Sequence, residues 1–181
     1  MSDRYEIRLS GSGGQGMILA GIIMAEAAAI YGDKNAVQSQ SYGPESRGGA
    51  SKAEVIISEG PIDYPKATAI DCMLAMTQEA CTKYHHDIKD GGILIVDSDS
   101  VKDVPQGGFR VHGFPITSIA RDELGKVIVA NIVSLGAMTG LTKVVSYESV
   151  EQAVLARVPA AFVDLNKKAL QRGYELTRDL K

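Results

Sequence analysis

Tyr5-Glu6-Ile7-Arg8-Leu9, then Gly11-Ser12-Gly13-Gly14-Gln15-Gly16, then the apolar run from Met17 to Ala25: this stretch decides the fold. The first five residues alternate apolar and charged, which predicts a short strand. Gly11, Gly13 and Gly16 meet the G-x-G-x-x-G spacing between a strand and a helix. The first glycine permits a tight turn, the second lets backbone approach a ligand, and the third lets the helix lie close on the strand. The helix start then offers unpaired N–H groups to an anion. A tight turn that binds nothing fits the same pattern equally well.

Working outward, residues 17–31 read as a helix apolar nearly all round, which predicts burial on most sides. Further strands are predicted at 35–40, 51–58, 70–76, 93–96 and 109–112. On the third, Ala53, Val55 and Ile57 share a face. Thr77 is placed to cap a helix carrying Cys81, Tyr84 and Ile88 on its inner side, with Gly91-Gly92 as its stop. Helices are expected at about 115–124 and 128–140, and from Ser146 onward in two pieces broken near Pro159. In the last piece Phe162, Leu165, Ala169, Gly173, Leu176 and Leu180 recur at helical steps. Strands alternating with helices predict an α/β fold: a doubly wound, mostly parallel, Rossmann-like sheet with C-terminal helices, one domain over residues 1–181.

A nicotinamide enzyme would end its second strand with an acid for the ribose. Here that strand ends Gln38-Ser39-Gln40, and Asp33 precedes it, so a dehydrogenase is disfavoured. An anion or another polypeptide is left as the loop's occupant. Just beyond comes Ser41-Tyr42-Gly43-Pro44-Glu45-Ser46-Arg47-Gly48-Gly49. Tyr42, Glu45 and Arg47 on glycine- and proline-stiffened backbone favour recognition, with Arg47 able to clamp a carboxylate or phosphate. A self-contained turn with a Glu45–Arg47 ion pair is the competing account.

Composition narrows the function classes. The 181 residues carry 19 basic and 22 acidic side chains, a net charge of −3, so nucleic-acid binding lacks electrostatic support. The polar start and short apolar runs predict no signal and no membrane span, hence a soluble, cytoplasmic protein. Two cysteines, Cys72 and Cys81, are too few for a four-iron cluster. His85 and His86 are expected to face solvent in different directions, and His112 to finish a strand. Asn131 reads as a buried amide bonded to backbone, and Glu26 as satisfied by a neighbour or a partner.

These residues together resemble the gamma subunits of the 2-oxoacid:ferredoxin oxidoreductases, the 2-oxoglutarate type most closely. The likeness rests on Gly11 to Gly16, Ser41 to Gly49, Asp63-Tyr64-Pro65, Met76 to Ala80, Gly91 to Asp97 and Asn131 to Gly136. It implies a complex that decarboxylates a 2-oxoacid with thiamine diphosphate, reduces ferredoxin through iron–sulfur clusters and releases acyl-coenzyme A. Thiamine would sit between alpha and beta subunits, and clusters on beta or a ferredoxin-like delta subunit. This chain, with no catalytic residue of its own, would be accessory. Gly11, Gly13, Gly14, Gln15, Gly16 and Arg47 would face coenzyme A or a partner, and Tyr42, Glu45 and Arg47 would anchor the partner face. A free-standing nucleotide- or coenzyme-A-binding module and an indolepyruvate oxidoreductase small subunit are the alternatives.

Overall fold

The computed structural model describes residues 4–42 and 49–180, the side chain of Tyr42 excepted. Among these residues six strands, β1 Tyr5–Ser12, β2 Asn35–Tyr42, β3 Ala50–Ser58, β4 Ile70–Ala75, β5 Ile88–Asp97 and β6 Arg110–Phe114, form one sheet in the order β2-β3-β1-β4-β5-β6. β1, β4, β5 and β6 run parallel, while β3 is antiparallel to both its neighbours. The helices are α1 Met17–Ala29, α2 Gln78–Tyr84, a short α3 Ile116–Ser118, α4 Ala130–Thr142, α5 Tyr147–Leu155 and α6 Val163–Glu175. The α/β expectation holds, with a sheet that is mixed. No helix of the described residues is long and apolar enough to cross a membrane.

Period-two alternation sorts the strand residues onto two buried faces. Ile7, Cys72 and Ile93 align across β1, β4 and β5, as do Leu9, Leu74 and Ile95. This face is covered by α1, α4, α5 and α6. The alternate residues Met73, Ala75, Leu94 and Val96 turn to the other face, against Cys81 of α2 and Val101. Helix α1 buries Met17, Ala20, Ile23, Met24 and Ala27 but leaves Leu19 40% exposed and, just past its end, Ile30 64% exposed. Its apolar circumference is therefore only partly used within this chain.

The segment after α2 differs from expectation. Thr77 does cap α2, its hydroxyl accepting from the Ala80 N–H at 3.2 Å. The helix, however, gives way to a 3-10 turn at His85–Asp87, and Ile88 already pairs with Ile70 as the first residue of β5. Gly91-Gly92 lie inside that strand, where the register jumps between Ile70 and Cys72. Gly91 has φ 79° and donates to the Gly108 carbonyl at 2.6 Å. The glycine pair makes a bulge and does not stop a helix.

Two buried charges tie β1 to its surroundings. Arg8, 2% exposed, reaches Glu54 at 2.7 Å, Asp87 at 2.6 Å and the Tyr84 carbonyl at 2.9 Å. Glu6, 4% exposed, accepts from the N–H groups of Thr68 at 2.6 Å and Ala69 at 2.8 Å and from Arg4 at 2.6 Å. Burial alone would raise the Glu6 pKa, but these donors outweigh it and hold the carboxyl below the usual range. A depressed folded-state value contributes stability that is complete above the unfolded pKa of about 4.3 and is lost as pH falls through the folded one. The urea midpoint should therefore drop below about pH 4, and Glu6→Gln should flatten that acid limb while lowering the neutral plateau. An unchanged acid limb in the variant would refute the assignment.

Candidate functional site

The glycine loop is shorter than its motif. Gly11 and Ser12 still belong to β1, opposite Ser51 and Ala50 of β3. Gly13 and Gly14 are exposed, with open space where a Cβ would stand. Gly16 heads α1 in a left-handed conformation, φ 75°, and no side chain caps the helix. Its first-turn N–H groups lie at the positive end of the helix dipole. Gln15 turns its side-chain oxygen back onto the Ser12 N–H at 2.8 Å, leaving its amide NH2 for other contacts.

Asn131 of α4 is 5% exposed and donates to the Gly16 carbonyl at 3.4 Å, the backbone-bonded amide that the sequence predicts. A Cβ on Gly16 would come within 2.6 Å of its Nδ2. The third glycine therefore makes room for α4, whereas the motif assigns it to helix–strand contact.

The topology explains the missing ribose acid. β3 lies between β1 and β2, so the end of β2 is two strands away from the glycine loop. In a dinucleotide fold β2 is the direct neighbour of β1. Asp33, at φ 53°, precedes β2 as expected. β2 ends at Tyr42 opposite Ser51, and β3 begins at Ala50 opposite Ser12. The described flanks of the two glycine segments therefore meet at one end of the sheet. Glu45, Arg47 and any pairing between them lie outside the described residues, as does the Tyr42 side chain.

An apolar groove of ≈ 350 Å³ opens beside the loop, lined by Leu19 and Ile23 of α1, Ile128, Val158, Phe162 and Leu165. Ile128 is 79% exposed, Val127 51% and Phe162 48%. Asn131 lines this groove and touches Gly16, so groove and loop are continuous. Sequence reasoning missed it, because residues 128–140 read as one helix. The separate 3-10 turn Val127–Val129 instead lifts Ile128 outward. Glu26 borders this side in a two-pronged pair with Arg157, one contact at 2.7 Å, which holds its carboxyl below the usual range. That is the neighbour expected of it.

The other candidates lie elsewhere in the fold. His85 and His86 have ring centroids 3.8 Å apart, so they do not diverge as expected. His112 is half-buried within β6, and burial followed by the nearby Arg110 holds its pKa down. Cys72 and Cys81 lie in cores on opposite faces of the sheet, and burial pushes both thiols up. Neither cysteine fits an iron–sulfur cluster, and among the described residues no group of three His, Cys, Asp or Glu could hold a metal.

A family model for pyruvate ferredoxin/flavodoxin oxidoreductase matches residues 6–176. The chain is 51% identical over 179 residues to the 2-oxoglutarate synthase subunit KorC of Methanocaldococcus jannaschii, covering 98% of this chain and 96% of that one. It superposes on the keto/oxoacid ferredoxin oxidoreductase gamma subunit from Geobacter sulfurreducens with a TM-score of 0.89 and 62% identity over 95% of each chain. The fold recurs, at 23% identity and a TM-score of 0.86, as 32% of a chain of the 2-oxoglutarate:ferredoxin oxidoreductase from Magnetococcus marinus, solved with 2-oxoglutarate, coenzyme A and succinyl-CoA bound.

Proposed function

The chain belongs to the pyruvate ferredoxin/flavodoxin oxidoreductase family, and we propose that it is the accessory gamma subunit of a cytoplasmic 2-oxoglutarate:ferredoxin oxidoreductase. The match to KorC along nearly the whole of both chains carries this reading. Thiamine diphosphate, iron–sulfur clusters and coenzyme A belong to the complex, whose alpha, beta and delta subunits are the proposed partners. Within it the chain's role is to complete a surface.

Three features support the rim around the glycine loop as that surface. Gly13 and Gly14 expose backbone, α1 begins without a side-chain cap, and the groove beside them presents Ile128 and Phe162 to solvent. Exposed apolar surface of this kind marks an interaction site. Gly11, Gly13, Gly14, Gln15, Gly16 and Arg47 would meet a partner's acidic group or the coenzyme A phosphates, and Tyr42, Glu45 and Arg47 would anchor the contact. We assign the groove to the catalytic subunits, since a 33% identical relative, a ketoisovalerate oxidoreductase subunit VorA, carries the matching sequence as 36% of a longer chain.

Reconstitution tests the reading. The purified chain, given 2-oxoglutarate, thiamine diphosphate, coenzyme A and ferredoxin, should show no turnover, and joining it to its partner chains should restore succinyl-CoA formation. Arg47→Ala should lower assembly or turnover at least roughly tenfold, the effect of removing a charge-assisted contact. Turnover by the isolated chain, or an indifferent Arg47→Ala complex, would refute it.

A further inference from the structure

Most arginines among the described residues are paired. Arg4, Arg8, Arg121, Arg157 and Arg172 each hold a carboxylate. Arg110 and Arg178 enter no ion pair among the described residues, and both line one cleft of ≈ 340 Å³. The cleft lies between edge strand β6 and the carboxyl ends of α4 and α6. Lys143 and His112 join the two arginines there, and among the described residues no acidic one lines it. The negative dipole ends of α4 and α6 favour cations there, and a bound anion would supply a further counter-charge to the mutually repelling side chains.

Lys143 adds a second, independent observation. It follows α4 with φ 51°, one of two non-glycine residues in the left-handed region among those described. Glycine is the default at that helix end because other residues adopt it only at a cost. A lysine there, beside two unpaired arginines, retains a cation that glycine would remove. Arg110 also lines an adjoining recess that holds Asp71 and Asp90. Asp71, in the adjoining recess, holds Lys89 at 2.7 Å, and Asp90 rests against Gly108.

We propose that this cleft binds a phosphorylated small molecule, its phosphate held by Arg110, Lys143 and Arg178. Two guanidinium forks and an ammonium suit the several acceptor oxygens of a phosphate. Tyr174, packed edge-on to Tyr147 with ring centroids 5.0 Å apart, offers a wall for the ligand's body. The volume is at the lower end for small-molecule sites, about 300–1,000 Å³, and the recessed shape favours such a ligand over an acidic peptide. The inference stands apart from the subunit assignment, because the cleft does not include the glycine loop.

Titrating the isotope-labelled full chain with ADP, and separately with inorganic phosphate, at constant ionic strength tests it by amide NMR. Saturable shifts are expected around His112, Lys143, Tyr174 and Arg178. Arg110→Gln or Arg178→Gln should each weaken ADP binding about tenfold with unaltered thermal unfolding, and Arg121→Gln should have no effect. Saturation by inorganic phosphate as well would place recognition in the phosphate alone, and saturation by ADP only would show that the body contributes; both support the site. Shifts confined to Gly13–Gly16, shifts that never saturate, or tighter binding of a glutamate-rich peptide than of ADP would each overturn it.

Discussion

Gly173→Ala is expected to lower the thermal midpoint of the isolated chain by about 10 °C, the consequence of roughly 3 kcal/mol of overpacking in a chain of this size. Helices α4 and α6 approach so closely that a Cβ on Gly173 would collide with the carbonyl of Val133, and one on Gly136 with the carbonyl of Leu170. Both obstacles are backbone, held by helical hydrogen bonds, so no side chain can swing aside. The opposing effect is helix propensity, which favours alanine over glycine by about 1 kcal/mol. Collision outweighs propensity, and the two helices must part. Gly60→Ala is the control: nothing lies within 4 Å of its added methyl, so its midpoint should hold within about 2 °C. Calorimetry on both variants decides the matter. A Gly173→Ala midpoint at or above that of the parent chain would show that the helices can separate without loss.

The apolar step of α6 through Ala169 and Gly173 was legible in the sequence because it is local: residues three and four apart must share a face. Strand positions were legible for the same reason, since Ile7, Leu9, Val55, Ile57, Leu74 and Ile95 repeat at period two or in unbroken apolar runs. What the sequence did not disclose depends on distant pairing. Nothing within residues 35–58 says that β3 enters beside β1 and displaces β2 outward, yet that order separates the second glycine segment from a ribose position. Gly91-Gly92 were misread because a glycine pair serves equally as a helix stop or a strand bulge. Ile88, four residues after Tyr84, also fits a helical face, and only its pairing with Ile70 decides. The glycine loop itself was found by motif, but its buttress, Asn131, stands 115 positions from Gly16. The groove is less legible still, for its walls come from α1, the turn before α4, the approach to α6 and α6 itself.

That groove yields the second large effect. Ile128→Glu should abolish co-purification with the catalytic subunits while leaving the isolated chain folded. Ile128 is 79% exposed in the chain alone, so the substitution should change its own stability by no more than about 0.5 kcal/mol. In the complex the position is proposed to be covered. Removing the isoleucine forfeits about 1.5–3 kcal/mol of apolar burial, and a carboxylate in its place adds a desolvation cost of several kcal/mol unless a partner cation meets it. The combined loss exceeds a hundredfold in affinity. Lys126 on the same rim cannot rescue the complex without leaving solvent as well. Val104→Glu supplies the comparison, since Val104 is 39% exposed but follows the segment that bonds to α2 on the other side of the sheet. It should assemble as the parent does. Equal assembly of the two variants would remove the groove from the interface, and failure of both would mean that general surface charge, with no particular apolar contact, governs association.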